Sequence, residues 1–444
     1  MKKTILALAA LMSLTTATAQ KQWTLDDCLQ YAIENNITLK KSQLQKQSAT
    51  ETLKQSKAAL LPSLSASTNQ SVGYRPWTDQ GTVTVTNGQV DTKAEKTYYN
   101  GSYGVNAAWT VWNGNQNHNQ VKLNRVEEEQ AALAVQETAN SIQERIAQLY
   151  VQILYMTEAI EVNRQSLETS RKNEERGREI VEVGKMSKAD LAQLSAQRST
   201  DEYNVVEAEA QLANYKLQLK QLLELTDQDF DIAVPATSDT QALAEIPALA
   251  TVYEQALMQR PEIKSAQLSL QSSDLQMKIA RAGRIPTLSL TAGATTSTNS
   301  LSENAWGSQM KTNFNASGGA SLSIPIFDQR KTKTAVNKAR IQREQAELDL
   351  QDQQKQLYQT IEGYWLDAQT NQQKFRSATT TVESEQASYD LLSEQFNVGL
   401  KNIVELMTGK DRLLSAQQNK LQAKYMTILN QQLLKFYQGE TRKI

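Results

Sequence analysis

Only one cysteine and one histidine occur among the 444 residues. Without a second thiol Cys28 cannot close an internal disulfide, and without a second imidazole His118 cannot form a histidine pair for a metal. His118 reads as a satisfied residue at a strand-to-helix junction. Proline numbers 7 and aromatic residues make up 6%. With a mean hydropathy of −0.54, that composition argues against a thick globular core and favours long helices with thin apolar seams. The 47 Lys and Arg residues balance 48 Asp and Glu, so no basic face for nucleic acid is expected. Beyond the amino-terminal segment no run of 18 apolar residues exists, which excludes a transmembrane helix. If this chain crosses a membrane, it does so as strands. No glycine loop ending in Lys-Ser or Lys-Thr appears. Acidic runs such as Asp26-Asp27 and Glu127-Glu128-Glu129 lie on charged helical faces and read as solvated. No catalytic residue, metal or cofactor is expected, and the chain is not read as an enzyme.

Residues 1–19 have the form of a secretory signal: Lys2 and Lys3, an apolar core from Ile5 to Leu14, and a small-residue cleavage site at Ala17-Thr18-Ala19. Removing it leaves 45 basic against 48 acidic residues, a charge of −3. Cys28 then lies shortly past the cut. It is a plain helix residue or a lipidated one.

What the chain does have is length without interruption. From Asn115 to Val183 there is no proline, and a helix over that span would be roughly 100 Å long. Ile142, Ile146, Leu149 and Ile153 step through it as a coiled-coil seam. The same spacing recurs at Leu357, Ile361, Tyr364 and Ala368, inside a second proline-free run from Lys331 to Val398. The chain reads as an internal duplication. The first repeat covers 20–225, a linker 226–247, the second repeat 248–438 and a tail 439–444. Each repeat opens with a helix, from Thr24 to about Leu60 and from about Ala248 to Arg284. Pro62 and Pro286, which hold the same place in the two repeats, end those helices and lead into extended segments.

The extended segments alternate. Tyr99, Gly101, Tyr103, Val105, Ala107, Trp109 and Val111 oppose Asn100, Ser102, Gly104, Asn106, Ala108 and Thr110. In the second repeat Ala316, Gly318, Ala320, Leu322, Ile324 and Ile326 oppose small polar residues. Partner strands begin after the prolines, with Leu64, Ala66 and Thr68, and with Leu288, Leu290, Ala292 and Ala294. This is the period of membrane strands, apolar outward and polar inward, although a small soluble sheet with one wet face shares it. The expected lipid-facing residues are Tyr99, Tyr103, Val105, Trp109, Leu322 and Ile324. Stretches 72–96 and 296–312 read as surface loops. Four strands per chain leave open edges that hydrocarbon does not tolerate. Three chains would close a barrel of twelve strands, continued by twelve helical staves around a water-filled lumen.

The repeated order of helix, proline, strand pair and long hairpin, with the turn Val-Gly-x-x-x-x-x-acid-Leu at Val183 to Leu191 and at Val398 to Leu406, resembles the TolC-like family of outer membrane efflux and secretion channels. The resemblance covers the mature chain. It implies a mostly helical fold with transmembrane β-strands: a long coiled-coil α-barrel plus a 12-stranded β-barrel, shared by a homotrimer. The trimer would sit in the lipid of a Gram-negative outer membrane and extend into the periplasm. There it would meet a periplasmic adaptor (a membrane fusion protein) and an inner-membrane RND or ABC transporter, passing drugs and other small molecules outward. Protein secretion of type I is the alternative within the family, and a non-channel periplasmic coiled-coil scaffold the alternative outside it. By the same resemblance, Gly184, Lys185, Met186, Ser187, Gly399, Leu400, Lys401 and Asn402 form the periplasmic tip that touches the adaptor, and Asp190, Phe396, Lys401, Glu405 and Thr408 form the gate. Four gate positions depart from the family pattern: Phe396 replaces a tyrosine, Lys401 an arginine, and Glu405 and Thr408 two aspartates. A Lys401 to Asp190 contact would be a point-charge pair without a bidentate fork, so packing by Phe396, Leu400 and Leu406 is expected to carry much of the closure.

Overall fold

The computed structural model describes residues 22–77, 82–86, 89–93, 96–226, 230–235 and 239–439. The expected signal segment, the tail residues 440–444, and parts of the linker and of the first loop lie outside them. The chain forms two compact units, interleaved in sequence. One takes residues up to 44, 133–264 and 351 onward; the other takes 45–132 and 265–350.

The first unit is helical. Strand β1 (Gln22–Trp23) leads into α1 (Leu25–Asn35), where Thr24 and Asp27 form a capping box. The expectation of one helix from Thr24 to Leu60 does not hold: the chain breaks at Asn36 and restarts as α2 (Ile37–Ala58). Asn36 is buried, and its Oδ1 accepts from the Thr38 and Leu39 amides at 2.9 and 3.1 Å. Its Nδ2 donates to the Leu222 carbonyl at 2.9 Å. An asparagine there caps the second helix and ties the break to another one. A like break falls 224 residues on, from Asn36 to Arg260. Helices α6 (Leu249–Gln259) and α7 (Pro261–Ala282) are separated by Arg260, held extended by the proline after it.

The long helices α3 (Gln116–Glu182) and α9 (Lys331–Asn397) have 67 residues each. Their return helices, α4 (Lys188–Leu222) and α10 (Ile403–Tyr437), have 35 each. The seam residues Ile142, Ile146, Leu149 and Ile153 are buried, with Leu154, Leu219, Leu223, Leu433 and the α1 residues Cys28 and Ala32 around them. Cys28 is fully enclosed, as an apolar helix residue is. The linker 226–247, where described, forms regular elements, and its Ile232 joins this core. Its strand β6 (Asp231–Ile232) pairs in parallel with β1, and the short helix α5 (Asp239–Ala242) buries Ala242. Ile232 is buried, and Tyr150 Oη donates to the Ala233 carbonyl at 2.7 Å.

The second unit carries a four-stranded antiparallel sheet in the order β2 (Ser63–Tyr74), β5 (Thr97–Trp112), β7 (Thr287–Asn299), β8 (Asn315–Ser323). The stretches expected to be loops hold more than loop. Between β2 and β5 lies a hairpin of β3 (Thr82–Thr86) and β4 (Gln89–Lys93), and between β7 and β8 lies helix α8 (Trp306–Thr312). In this unit Leu123 and Val126 of α3 pack with Leu275 of α7, and Arg343, further along the chain, meets Asp274 of α7 at 2.9 Å. No helix among the described residues is long and apolar enough to cross a membrane.

Candidate functional site: a charge-free sheet and two hairpin turns

Register places the alternating residues. Tyr103 lies opposite Thr68 and Thr296, Val105 opposite Ala66 and Ala294, Ala107 opposite Leu64 and Ala292, and Trp109 opposite Leu290. Leu288 and Leu322 pair with each other, as do Leu290 and Ala320. Tyr99, Tyr103, Val105, Trp109 and Leu322 therefore share one face. Ile324 does not belong to the strand, which ends at Ser323 before Pro325. The register also slips between Thr110 and Trp112, so Trp112 rather than Val111 faces Leu288. Trp109 Nε1 donates to the Leu60 carbonyl at 2.9 Å.

The other face consists of Ser63, Ser65, Ser67, Asn106, Ser102, Asn100, Ser289, Thr291, Thr295, Ser317, Ser321 and similar small residues. None of the four strands contains Asp, Glu, Lys or Arg. One face is thus apolar from Val105 to Trp109, with Thr68, Gln70, Thr296 and Thr298 at and beyond Tyr103, and the other is polar but uncharged; the outer edges of β2 and β8 are unpaired in the sheet.

The turns of the first unit are built alike. Gly184 and Gly399 adopt φ of +70° and +79°, where a side chain would be strained. Lys185 N donates to Ile180 O at 3.0 Å and Leu400 N to Gln395 O at 2.9 Å, which closes each long helix in a Schellman motif. The return helices start on Ser187 and Asn402, whose side chains accept from the Asp190 and Glu405 amides, each at 3.0 Å. Ser187 Oγ also donates to Asp190 at 2.8 Å. Lys401 Nζ donates to Glu405 at 2.5 Å, and that bond, with the Asn402 amide, holds the Glu405 carboxyl below its usual range. Within the chain, then, Lys401 pairs with Glu405 and Asp190 with its own cap. The anticipated Lys401 to Asp190 contact is not made, because each acid is drawn into the first turn of its helix.

Phe396 packs with Met186 and Met407 on a cluster of Leu194, Tyr389, Ile403, Leu406 and Leu413. Leu400 is not part of it and stands 75% exposed, with Val183, Val398 and Val404 also exposed. Thr408 Oγ1 donates to the Val404 carbonyl of its own helix at 2.7 Å. A groove of about 680 Å³ runs between the turns, lined among others by Arg176, Met186, Asp190, Phe396, Lys401 and Ile403.

Two polar features beside the turns escaped the sequence. Glu174, buried on α3, accepts from Arg178 at 2.8 Å, Ser195 at 2.7 Å and Arg198 at 2.7 Å. The Arg178 and Ser195 bonds lower its pKa. Asp201 on α4 forms a buried ion pair with Lys410 on α10 and accepts a bond from Ser170. Neither stands out in helices full of Glu and Lys. His118 is exposed near the start of α3, and no group of side chains able to hold a metal exists among the described residues.

The family model described as Outer membrane efflux protein matches residues 28–224 and again 252–440. The outer membrane efflux protein BepC of Brucella suis biovar 1 (strain 1330) is 23% identical over 432 residues, 96% of this chain and 88% of that protein. The alkaline protease secretion protein AprF of Pseudomonas aeruginosa is 23% identical over 298 residues, 66% of this chain and 60% of its own length. The crystal structure of the Campylobacter jejuni CmeC outer membrane channel has the same fold, with a TM-score of 0.79 at 18% identity over 94% of this chain and 86% of that one.

Proposed function

We propose, for a chain that belongs to the outer membrane efflux protein family, that three copies close a twelve-stranded barrel in the outer membrane and form the outlet of a tripartite export system. The observation that carries this reading is the charge-free sheet with two unlike faces and two unpaired edges. Hydrocarbon penalises every unpaired edge amide by several kcal/mol, and joining β8 of one copy to β2 of the next removes all of them. The apolar face then meets lipid and the Ser, Thr and Asn face lines water. The matching lengths of α3 with α9 and of α4 with α10, together with the double match of the family model, support an internal duplication with repeats 20–225 and 248–438.

The exposed apolar residues at the turns, Val183, Val398 and Leu400, support docking of a periplasmic adaptor on residues 184–187 and 399–402, with an inner-membrane RND or ABC transporter behind it. Small molecules such as drugs are the proposed cargo. The likeness to AprF supports protein secretion as the second reading. In this channel Phe396 and Leu406, through their shared packing, do more to close the tip than Asp190, whose carboxylate is occupied by Ser187; Glu405 and Thr408 line the approach.

The test is planar-bilayer conductance of the detergent-extracted protein. Discrete steps from a trimer, larger in Phe396→Ala than in wild type and unchanged in Asp190→Ala, are expected. A soluble protein that stays silent in all three forms would return the scaffold. A rise in Asp190→Ala instead of Phe396→Ala would overturn the gate assignment while leaving the channel.

A further inference from the structure

Helix α8 lies on the sheet face that the proposed barrel turns toward lipid. Trp306 meets the Tyr103 ring edge-on, with centroids 6.1 Å apart at 87°. Thr296, the register partner of Tyr103, donates its hydroxyl to the Met310 carbonyl at 2.8 Å. Gln309, buried, anchors the helix by accepting from Asn299 N and donating to Asn304 O, both at 2.7 Å. Phe314 directly precedes the first β8 pair, Asn315 with Thr295.

A connecting segment in water has no reason to present Trp306 and Phe314, yet they are 59% and 61% exposed. Tyr74 and Tyr99 stand at the strand end away from the long helices and Tyr103 further along β5, all three on one face, and Trp306 packs on Tyr103. Trp109 and Trp112 occupy the opposite end of that face. The step along β5 from Tyr103 to Trp112, at about 3.4 Å per residue and a tilt of about 40°, spans roughly 23 Å. That is close to the apolar band of a membrane barrel, about 25 Å. Lys311 is the one charged residue of α8 and is exposed.

We propose that α8 is a lipid anchor: it lies outside the barrel in the phosphate-bearing head-group layer of the outer leaflet, with Trp306 and Phe314 inserted at its apolar edge and Lys311 directed to lipid phosphate. The proposal rests on the barrel reading. Amphipathic rings settle where an apolar body and a polar rim are both satisfied, and a lysine stem reaches from there to the head groups. The anchor fixes how deep the trimer sits, at the height of Thr296 and Met310.

The full-length protein is reconstituted in vesicles of phosphatidylcholine brominated near the head group, and tryptophan emission is compared for wild type, Trp306→Phe and Trp109→Phe. The difference between wild type and Trp306→Phe isolates the Trp306 signal; it is expected to lose most of its intensity to the brominated lipid and little to aqueous iodide. If Trp306 is instead quenched by iodide and spared by bromine while the Trp109 signal is quenched by bromine, α8 is in water and the anchor is wrong, with the barrel intact. If neither signal responds to bromine, the barrel reading falls with it. Should Trp306→Phe not assemble, Phe314→Trp gives the same readout as a gained signal, with the same outcomes.

Discussion

The two helical hairpins of the first unit share their lengths, glycine turns and caps, but they are held together by different forces. In the α3–α4 hairpin the buried position beside the turn is Glu174, bonded to Ser195 and Arg198 across the helix pair. In the α9–α10 hairpin the equivalent position is Tyr389, packed with Leu406 and Leu413. A second exchange sits nearby. Leu194 of α4 fills the space over Gly177 of α3, where an added Cβ would come within 2.5 Å of the leucine. In the other hairpin the leucine is on the long helix: Leu392 fills the space over Gly409, with a corresponding distance of 2.7 Å. Knob and hole have changed sides while the fit is kept, so one backbone has two packing solutions. The two hairpins then join through Asp201 and Lys410, a buried pair between α4 and α10.

The largest expected effect comes from breaking that joint. Asp201→Ala strands Lys410 in the interior and is expected to lower stability by about 3–5 kcal/mol. Replacing both, Asp201→Leu with Lys410→Met, recovers most of the loss in thermal or denaturant unfolding. If the single and double variants lose the same amount, the joint does not couple the hairpins.

Next comes the contrast in pH. Tyr389→Ala removes buried packing worth about 3 kcal/mol or somewhat more, and the loss is expected to be the same at pH 7 and pH 4. Glu174→Ala is expected to cost less, and only while the carboxylate is ionised. Its folded-state pKa is depressed, so its contribution is complete above the unfolded carboxyl value and disappears as pH falls through the lower folded one. Unfolding midpoints measured at both pH values separate the two; equal pH dependence would erase the distinction between the hairpins.

A smaller effect tests the exchanged knobs. Gly177→Leu overfills its site by about 1–3 kcal/mol. Adding Leu194→Gly rebuilds the arrangement of the second hairpin and is expected to restore much of the melting temperature. Last, Lys401→Ala is expected to leave the unfolding midpoint unchanged, because the pair with Glu405 is open to solvent. A clear drop would mean that Lys401 has a partner beyond its own helix.

Much of the fold is readable because it is local. Val183-Gly184 and Val398-Gly399 mark turns that need a left-handed glycine, Ser187 and Asn402 are helix starters, and the seam from Ile142 to Ile153 follows the helical period. The strand faces are also readable, since side chains alternate. The break before Pro261 is legible in the proline itself. That at Asn36 is not, because its asparagine is fixed by Leu222, 186 residues away. At the candidate tip, Phe396 and Leu406 pack as their apolar character suggests, while Leu400 does not; its exposure depends on the turn geometry. The hairpin β3–β4 is legible in the Thr-Val alternation from Thr82 to Thr86 before Asn87-Gly88, a signal the loop expectation passed over, while helix α8 is hidden by a composition that short helices share with loops.

What the sequence determined by itself is what neighbours within a turn of helix or a step of strand decide: the lengths of α3 and α9, the glycine turns, and four strands with no charge on either face. The tertiary structure decided the partners. Asp201 with Lys410, Glu174 with Arg198, Lys401 with Glu405 rather than Asp190, and Trp306 on Tyr103 each select one contact among many side chains of the same chemistry. Local periodicity sets which face a residue takes, but only the packed fold brings distant residues such as Asp201 and Lys410 together.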